Sequence, residues 1–553
     1  MGVKVGTFLG GATTGFQTVT HGLGETPKLL LIWTSRSPNP SPSSAPDYWF
    51  GFGATDGTGS ICLGVNRRHN QSPSSTNPVC TSVVSNQVII WLVAGGGSEL
   101  QAGFYSWNAT TFTIRWIASN GVSANFVYLV VGGANIEART LTWYSLPGTG
   151  TQFVPVGFQP QFALLIPTGL TQMDTISTDV IYHGLGWYDG TTQGATGVLL
   201  SSTGPASTSI TSSTNIVVLP NILGQAPSMA AVATAFAASG MDLNWTSNLL
   251  GSRIMLGVFL RGLAAHKVGS QLGLGTSGTL SVSGLGFSPN AVMLFASVQD
   301  SSTSVADARL SLGAGAGATQ AVVSEFSAHS SPTNCFRYWE SGAIYHRLTT
   351  TGGTADRAIL QSLDADGFTL NYTAADNVQE RLFYWALRAP ITRTVSLGGA
   401  LGSAGTVQLN ARRAHVVGGT LSSAGSPTLL RARAIALTGV AGPTGSLVRG
   451  IRKNLSGTLA PSGFVACTRL AFVTLAGALA PIGVLINQAI YRKVMSGAIT
   501  AAGAIAKTVA KAFGGAIASS GVLRLLRTAW RGARRLRAVV ADAFGNVIGH
   551  ILP

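Results

Sequence analysis

Few residues of this chain have the type and spacing that catalysis or metal binding requires. Asp364 and Asp366 stand two residues apart before Gly367, as at the start of a calcium loop. The later oxygen ligands and closing Glu of such a loop are absent, so a plain turn before the strand FTLNY is favoured. The eight histidines form no HxH, HExxH or HxxxH spacing, and no phosphate-binding loop or nucleophile elbow occurs. We therefore expect no enzyme, no catalytic or metal-binding residue and no cofactor.

The four cysteines predict neither a zinc site nor a disulfide framework, because no CxxC pair is present among Cys62, Cys80, Cys335 and Cys467. Cys62 and Cys80 could meet within one domain. Separate buried thiols are the favoured interpretation.

Aromatic side chains beside polar ones indicate a different chemistry. Rings cover the apolar face of a sugar while neighbouring polar groups bind its hydroxyls. Five residues in the segments YSWN, GWYDG and RYWES have this character: Tyr105, Trp107, Trp187, Tyr188 and Trp339. They are candidates for binding a glycan or a receptor. The alternative is that these rings pack in the core or in an interface.

Basic residues are concentrated in the C-terminal third. Residues 391–553 carry 19 of the 35 Lys and Arg and one of the 19 Asp and Glu. Their clearest rows are the pairs Arg412-Arg413, Arg452-Lys453 and Arg492-Lys493. Such rows bind nucleic acid or form the solvated ends of β-strands. The second use is favoured, because few aromatic residues interleave with the pairs to stack on bases. A basic amphipathic helix over 523–544 that contacts a membrane or nucleic acid is a less favoured alternative.

These residues are carried by two systems of internal repeats. In the first, a turn containing proline, an alternating strand and an apolar closing strand recur in one order at about 128 residues. The recurring positions are Pro27, Pro160 and Pro289 for the turn, and Trp116, Trp245 and Tyr372 for the alternating strand. Short Val-, Phe- and Thr-rich segments between turn residues are typical of antiparallel strands. We predict three tandem antiparallel β-sandwich domains, at residues 1–138, 139–264 and 265–390.

The second system is a shorter glycine repeat. Units such as GTLSSAG and GTLAPSG begin 18 or 20 residues apart, at Gly399, Gly419, Gly439, Gly457, Gly477, Gly497 and Gly515. Apolar residues alternate with Ser, Thr and Gly, which predicts a repetitive β-hairpin or β-solenoid-like segment over 391–522. One unit is too small to bury its own apolar face, so its neighbours or other chains must cover it. Residues 523–553 form a basic C-terminal segment.

Composition agrees with an all-β structural protein. Charged residues make up 10% of the chain, and 70 of its 553 residues are glycine. Soluble proteins usually carry about 25% charged residues. The N-terminal sequence contains no secretory signal, and no apolar stretch is long enough for a transmembrane helix. We therefore expect synthesis in a host cytoplasm.

The chain resembles virion structural proteins of tailed bacteriophages, of the tail-fibre or tail-tip type. The resemblance is carried by the GLGF-x-P, DGFTLNY and YWALR elements of residues 284–388 and by the GTLxPxG units. The GF-x-P turn, late GFTL strand and closing WAL strand also resemble H-type lectins, more weakly. Those lectins are six-stranded sandwiches that bind sugars as oligomers. No sugar-binding residue is transferred, because the match is limited to framework positions.

The resemblance implies a virion component that attaches the particle to the host surface. We expect a homo-oligomer, as a trimer, that contacts other virion proteins and a host-surface glycan. One alternative is a capsid-associated decoration or head-fibre protein. Another, of a different class, is a cell-surface glycan depolymerase.

Overall fold

The chain folds into two units, of which the first is described almost completely. The computed structural model describes residues 2–36, 43–71, 79–93, 97–178, 180–201, 207–298, 303–330 and 334–389, and from residue 396 onward only short strands. Met1–Ile391 form one compact unit and Thr392–Pro553 the other. The described residues contain strands and no helix. The predicted all-β class, with antiparallel sheets, is confirmed.

The first unit contains three successive groups of eleven strands, which we call modules 1, 2 and 3. Module 1 consists of β1 (Val3–Gly10), β2 (Gly15–Thr20), β3 (Pro27–Thr34), β4 (Ser43–Pro46), β5 (Tyr48–Thr55), β6 (Ser60–Arg67), β7 (Val79–Ser85), β8 (Ile89–Val93), β9 (Gly97–Trp107), β10 (Thr111–Ala118) and β11 (Ala124–Gly132). Module 2 consists of β12 (Glu137–Tyr144), β13 (Gly150–Pro155), β14 (Phe162–Pro167), β15 (Ile176–Ser177), β16 (Val180–Tyr188), β17 (Gln193–Ser201), β18 (Thr208–Ser212), β19 (Val217–Leu219), β20 (Met229–Ala237), β21 (Gly240–Asn248) and β22 (Ile254–Arg261). Module 3 consists of β23 (Ala265–Leu272), β24 (Gly278–Ser283), β25 (Ala291–Ala296), β26 (Val305–Ala306), β27 (Ala308–Ala316), β28 (Thr319–Ser327), β29 (Cys335–Glu340), β30 (Tyr345–Leu348), β31 (Thr354–Asp364), β32 (Gly367–Ala374) and β33 (Arg381–Arg388).

The three modules have the same strand order. Each contributes six strands to a seven-stranded sheet, in the order β1-β11-β3-β5-β6-β7 in module 1 and the corresponding orders in modules 2 and 3. Each also forms a four-stranded sheet, β2-β10-β9-β8 in module 1. The two sheets of module 1 pack face to face through a shared apolar cluster that includes Ile32, Phe112 and Phe126. Equivalent clusters join the sheets of modules 2 and 3.

The seventh strand of each large sheet comes from another module. β15 of module 2 pairs with β7 of module 1, and β26 of module 3 pairs with β18 of module 2. β4 of module 1 pairs with β29 of module 3 and completes the cycle. The modules therefore form a closed ring within one chain, in which each module completes the sheet of another.

A single central core joins the three large sheets. One cluster of buried side chains draws on all three modules and includes Trp33, Trp187 and Trp385. Across the module boundaries, Phe162 stacks on Trp385 with ring centroids 3.9 Å apart. Because each large sheet is covered on both faces, its strands carry uninterrupted apolar runs such as LLLIW and AVMLFA.

The predicted domain boundaries fall close to the changes of module. The boundary after residue 138 lies inside β12, which begins at Glu137, and the boundary after residue 264 directly precedes β23. The ring belongs to one compact unit. The three modules are not independent of one another, because their sheets share strands and a core.

The second unit consists of short strands that mostly pair in parallel. They are β34 (Ser396–Leu397), β35 (Ala400–Ser403), β36 (Gln408–Leu409), β37 (His415–Ser423), β38 (Thr428–Leu429), β39 (Ile435–Pro443), β40 (Arg452–Leu455), β41 (Thr458–Leu459), β42 (Val465–Cys467), β43 (Leu470–Leu475), β44 (Leu485–Asn487), β45 (Ile490–Met495), β46 (Ile499–Ala501), β47 (Ile505–Ala506), β48 (Ile517–Ser519), β49 (Leu523–Arg524), β50 (Val539–Ala541) and β51 (Val547–His550). β37 pairs in parallel with β39, with His415 opposite Ile435. Each partner lies about one glycine-repeat period further along the chain. Residues 525–538, within the alternative amphipathic helix, lie outside the described residues.

Candidate functional site

Three of the five aromatic candidates are buried in the first unit. Trp187 is 0% exposed, Trp339 3% and Tyr188 5%. Trp187 packs on Phe295 of module 3 with ring centroids 4.2 Å apart, and Trp339 belongs to the same central core. A ring enclosed in this way offers no face to a sugar, so the structure places these residues in packing, the alternative interpretation of the pattern.

Tyr188 borders an open cleft between modules 2 and 3. The cleft has a volume of about 630 Å³, and its lining includes Gln159, Gln161, Tyr188, Asp189, Phe236, Arg261 and His266. Mixed aromatic and polar residues of this kind suit a ligand site in composition.

Two polar side chains of the cleft, Tyr188 and Asp189, are hydrogen-bonded within the protein. The Tyr188 hydroxyl donates to the Gly190 carbonyl at 2.9 Å. The Asp189 Oδ2 accepts from the Val268 amide of module 3 at 2.9 Å. Burial lowers the pKa of His266, against the opposing effect of the Asp189 charge. We interpret the cleft as a joint between modules, because the hydrogen bond from the Val268 amide to Asp189 joins module 3 to module 2.

Trp107 occupies the corresponding joint between modules 1 and 2. Its ring lies on the turn at Gly57, where a Cβ atom would come within 2.6 Å of the indole. In that turn the Asp56 Oδ2 accepts from the Thr140 amide of module 2 at 2.9 Å. Burial acts to raise the pKa of Asp56, but hydrogen bonds from Gly59, Thr58 and Thr140 outweigh it and lower that pKa. Trp107 therefore packs against a turn that positions the next module.

Tyr105 is the candidate whose ring is mostly exposed to solvent. It lies on the outer face of the four-stranded sheet of module 1 and is 62% exposed, as is Phe16 on the adjoining edge of that face. The two ring centroids are 4.6 Å apart, and the Arg115 guanidinium lies 5.9 Å from the Phe16 centroid. We call Phe16, Tyr105 and Arg115 the aromatic platform.

Sequence reasoning found only one member of this platform. Phe16 and Arg115 are opposite each other on neighbouring strands, and the alternation of FTIRW already indicates that Arg115 faces outward. The pairing of β2 with β10 places Phe16 there, and no local signal predicts that pairing.

The basic rows are placed only in part. Arg452 and Lys453 lie in β40, and Arg492 and Lys493 lie in β45, with β43 between these strands. The Arg412-Arg413 pair lies outside the described residues.

Cys62, Cys80 and Cys335 are buried and form no disulfide with one another, which confirms separate buried thiols at these positions. Within the ranges given above, no three His, Cys, Asp or Glu side chains come together as a metal site would require. In those same ranges no helix is long and apolar enough to span a membrane.

Comparisons with known proteins give no relative. No protein-family model matches this chain, and no curated protein matches it.

Proposed function

We propose that this chain is a structural component of a phage virion, a tail-fibre or tail-tip protein that attaches the particle to its host. The observation that carries the proposal is the closed ring of three modules, followed by a segment of strands at the glycine-repeat period. A ring whose sheets complete one another presents exposed surfaces on a rigid body. A repetitive segment that follows it in the chain provides length or a docking region.

The finer architecture belongs to the same proposal. We take the first unit as three tandem two-sheet domains and residues 391–522 as a solenoid-like stack of glycine repeats. Parallel pairing supports a stack over hairpins, because β37 and β39, and likewise β43 and β45, pair one repeat apart. Successive units of a solenoid bury each other's apolar faces, which a single unit cannot do.

Labelling of intact particles tests the proposal. Purified virions of the phage that encodes this chain are treated with an antibody raised against the chain and imaged by negative stain with gold. We expect gold at the tail tip or along a fibre. Gold over the capsid would favour the decoration or head-fibre alternative, and unlabelled virions would reject both.

A separate assay addresses the depolymerase alternative. The purified full chain is incubated with host capsular or surface polysaccharide, and polymer size is followed by gel filtration. We expect the polymer to keep its size, since the candidate residues are aromatic and basic rather than paired carboxylates. Shortened polymer would replace the attachment role by an enzymatic one.

A further inference from the structure

The outer face of the four-stranded sheet in module 1 carries two strongly exposed aromatic residues and an exposed apolar one. Phe16 and Tyr105 are each 62% exposed, and Ile117 beside them is 51% exposed. Exposed aromatic side chains grouped around a cation are unusual on a monomeric surface and mark interaction sites.

The strand registers align this face with those of the other modules. Gly15, Gly150 and Gly278 are opposite Trp116, Trp245 and Tyr372 respectively. The next pair in each register is Phe16 opposite Arg115, Thr151 opposite Asn244, and Thr279 opposite Asn371. Modules 2 and 3 therefore carry small polar pairs where module 1 carries an aromatic residue and a cation.

The third position of the platform, that of Tyr105, lies at a β-bulge. In the ladder between the two long strands of the small sheet, the first strand skips one residue in every module: Tyr105 in β9, Thr234 in β20 or Gln361 in β31. Bulges turn a side chain away from the regular pleat and are frequent beside functional sites. The same device thus directs a tyrosine outward in module 1 and polar side chains elsewhere. The fold does not require the aromatic residues, because it forms twice without them.

We propose that the aromatic platform binds a carboxylated sugar unit of a surface polysaccharide. The rings of Phe16 and Tyr105 cover the apolar C–H face of a pyranose, whose slightly positive hydrogens match the negative ring face. The Arg115 guanidinium pairs with the sugar carboxylate, for which its planar donors are suited. The Thr18 and Thr113 hydroxyls, which bond to each other at 3.1 Å on this face, supply polar partners for the sugar hydroxyls.

Charge selects an acidic sugar over a neutral one. Arg115 has no ion pair with a carboxylate among the described residues, and its guanidinium lies near the Phe16 ring. A cation left without an anion on an apolar face attracts an anionic ligand. The biological role rests on the proposed attachment function, whereas the binding is a property of the purified chain.

The test measures binding of the purified full chain to immobilised polygalacturonate, hyaluronate and polysialate, each beside its carboxyl-reduced neutral form. We expect binding to at least one acidic polymer, weakened about tenfold or more when its carboxyls are reduced. Arg115→Asn should remove this preference. Tyr105→Thr and Phe16→Thr should each weaken binding about tenfold, as truncation of a central aromatic contact does.

The chain contains its own controls. Arg115→Asn and Phe16→Thr introduce the residues that modules 2 and 3 both hold at the equivalent positions, and Tyr105→Thr introduces the residue of module 2, so unchanged thermal unfolding is expected. Thr234→Ala and Asn244→Ala on the equivalent face of module 2 should leave affinity unchanged. The converse triple change in module 3, Thr279→Phe with Gln361→Tyr and Asn371→Arg, should raise the stoichiometry from one site to two, because Ser281 and Thr369 there keep the paired hydroxyls.

Two results would overturn the proposal that the aromatic platform binds an acidic sugar. One is absence of binding to every acidic polymer by the folded wild-type chain. The other is self-association through this face, seen in sedimentation as an oligomer that Tyr105→Thr dissociates while no polymer binds. Neither result alters where gold labels the virion, so failure here is distinct from failure of the proposed function.

Discussion

Glu380 is a buried carboxyl whose protonation is coupled to folding. It lies between Arg309 and Arg347 at 3.6 and 3.7 Å, and the Tyr345 hydroxyl donates to it at 2.9 Å. Burial raises the pKa of Glu380 to about 7, although the two arginines act to lower it. The folded state therefore holds a proton that the unfolded chain releases near its ordinary value of 4.5. The stabilisation is complete below that value and is lost as the pH rises to about 7.

Glu380→Gln should reduce this dependence. From about pH 5 to about pH 7.5, the free energy of unfolding of the variant should rise relative to wild type by roughly 2–3 kcal/mol. Urea unfolding at the two pH values measures the difference. Glu137→Gln, at an exposed side chain, is the matched control and should change it by less than about 0.5 kcal/mol. Equal slopes for wild type and Glu380→Gln would contradict the assignment.

The candidate site could be predicted only in part at the residue scale. Composition found Tyr105 but also selected Trp187, since both stand beside polar residues. What separates them is burial, and burial depends on which strands pack together. Trp187 faces a core formed by three modules, whereas Tyr105 sits on a bulge of an outer sheet. A bulge shifts the side-chain alternation, so sequence periodicity cannot locate it.

Among the elements, the exchanged strands should stabilise the ring although they are very short. In β15, Ile176 pairs with Ser82 and Ser177 with Thr81. Successive backbone amides of a strand point to opposite sides, so one of the two amides in β15 faces β7. Proline has no amide hydrogen, and proline at both positions therefore removes that donor. The double variant Ile176→Pro with Ser177→Pro should lower the free energy of unfolding by about 1–3 kcal/mol. It should also speed hydrogen exchange in β7.

A conservative variant separates this ladder from simple side-chain loss. Ile176→Val with Ser177→Thr keeps both amides and should lower the free energy of unfolding by less than about 1.5 kcal/mol, with exchange in β7 unchanged. If the proline variant exchanged in β7 at the wild-type rate, β15 would not protect that edge.

The basic strands of the second unit carry another prediction at this scale. Arg452 and Lys453 in β40, and Arg492 and Lys493 in β45, are expected to keep an apolar repeat soluble and to block edge pairing. Changing all four to Ser should cause the full chain to aggregate. DNA affinity in a filter-binding titration at two salt concentrations should be weak for the wild-type chain. Tight binding with a steep salt dependence would show instead that the charges contact phosphates.

Sequence period predicts the modules better than their connections. A proline turn followed by a continuous apolar run predicts strands β3, β14 and β25. The apolar run is continuous because both faces of the large sheets are covered. β15 and β26 are two residues long and have no periodicity to detect. Their partners are set by where the neighbouring module lies, which only the assembled ring determines.

At the scale of the whole molecule, the ring changes the expectation of a trimer. Three separate chains would be needed if each contributed one module, but here β4, β15 and β26 complete the three large sheets within one chain. The side chains of the central core likewise come from all three modules. The first unit therefore has no vacant place for a second copy at its centre. Any self-association must use an outer surface or the repeats beyond residue 391.

We therefore predict that self-association is carried by the second unit. A chain that ends at Ile391, the limit of the first compact unit, should sediment as a single copy at micromolar concentration. The full chain should self-associate, because glycine repeats rely on neighbours to cover their apolar faces. As a control on the ring, the shortened chain with proline at Ile176 and Ser177 should associate more than its parent, since it exposes an unpaired strand edge. A stable trimer of the shortened chain would mean that the outer faces of the ring bind one another.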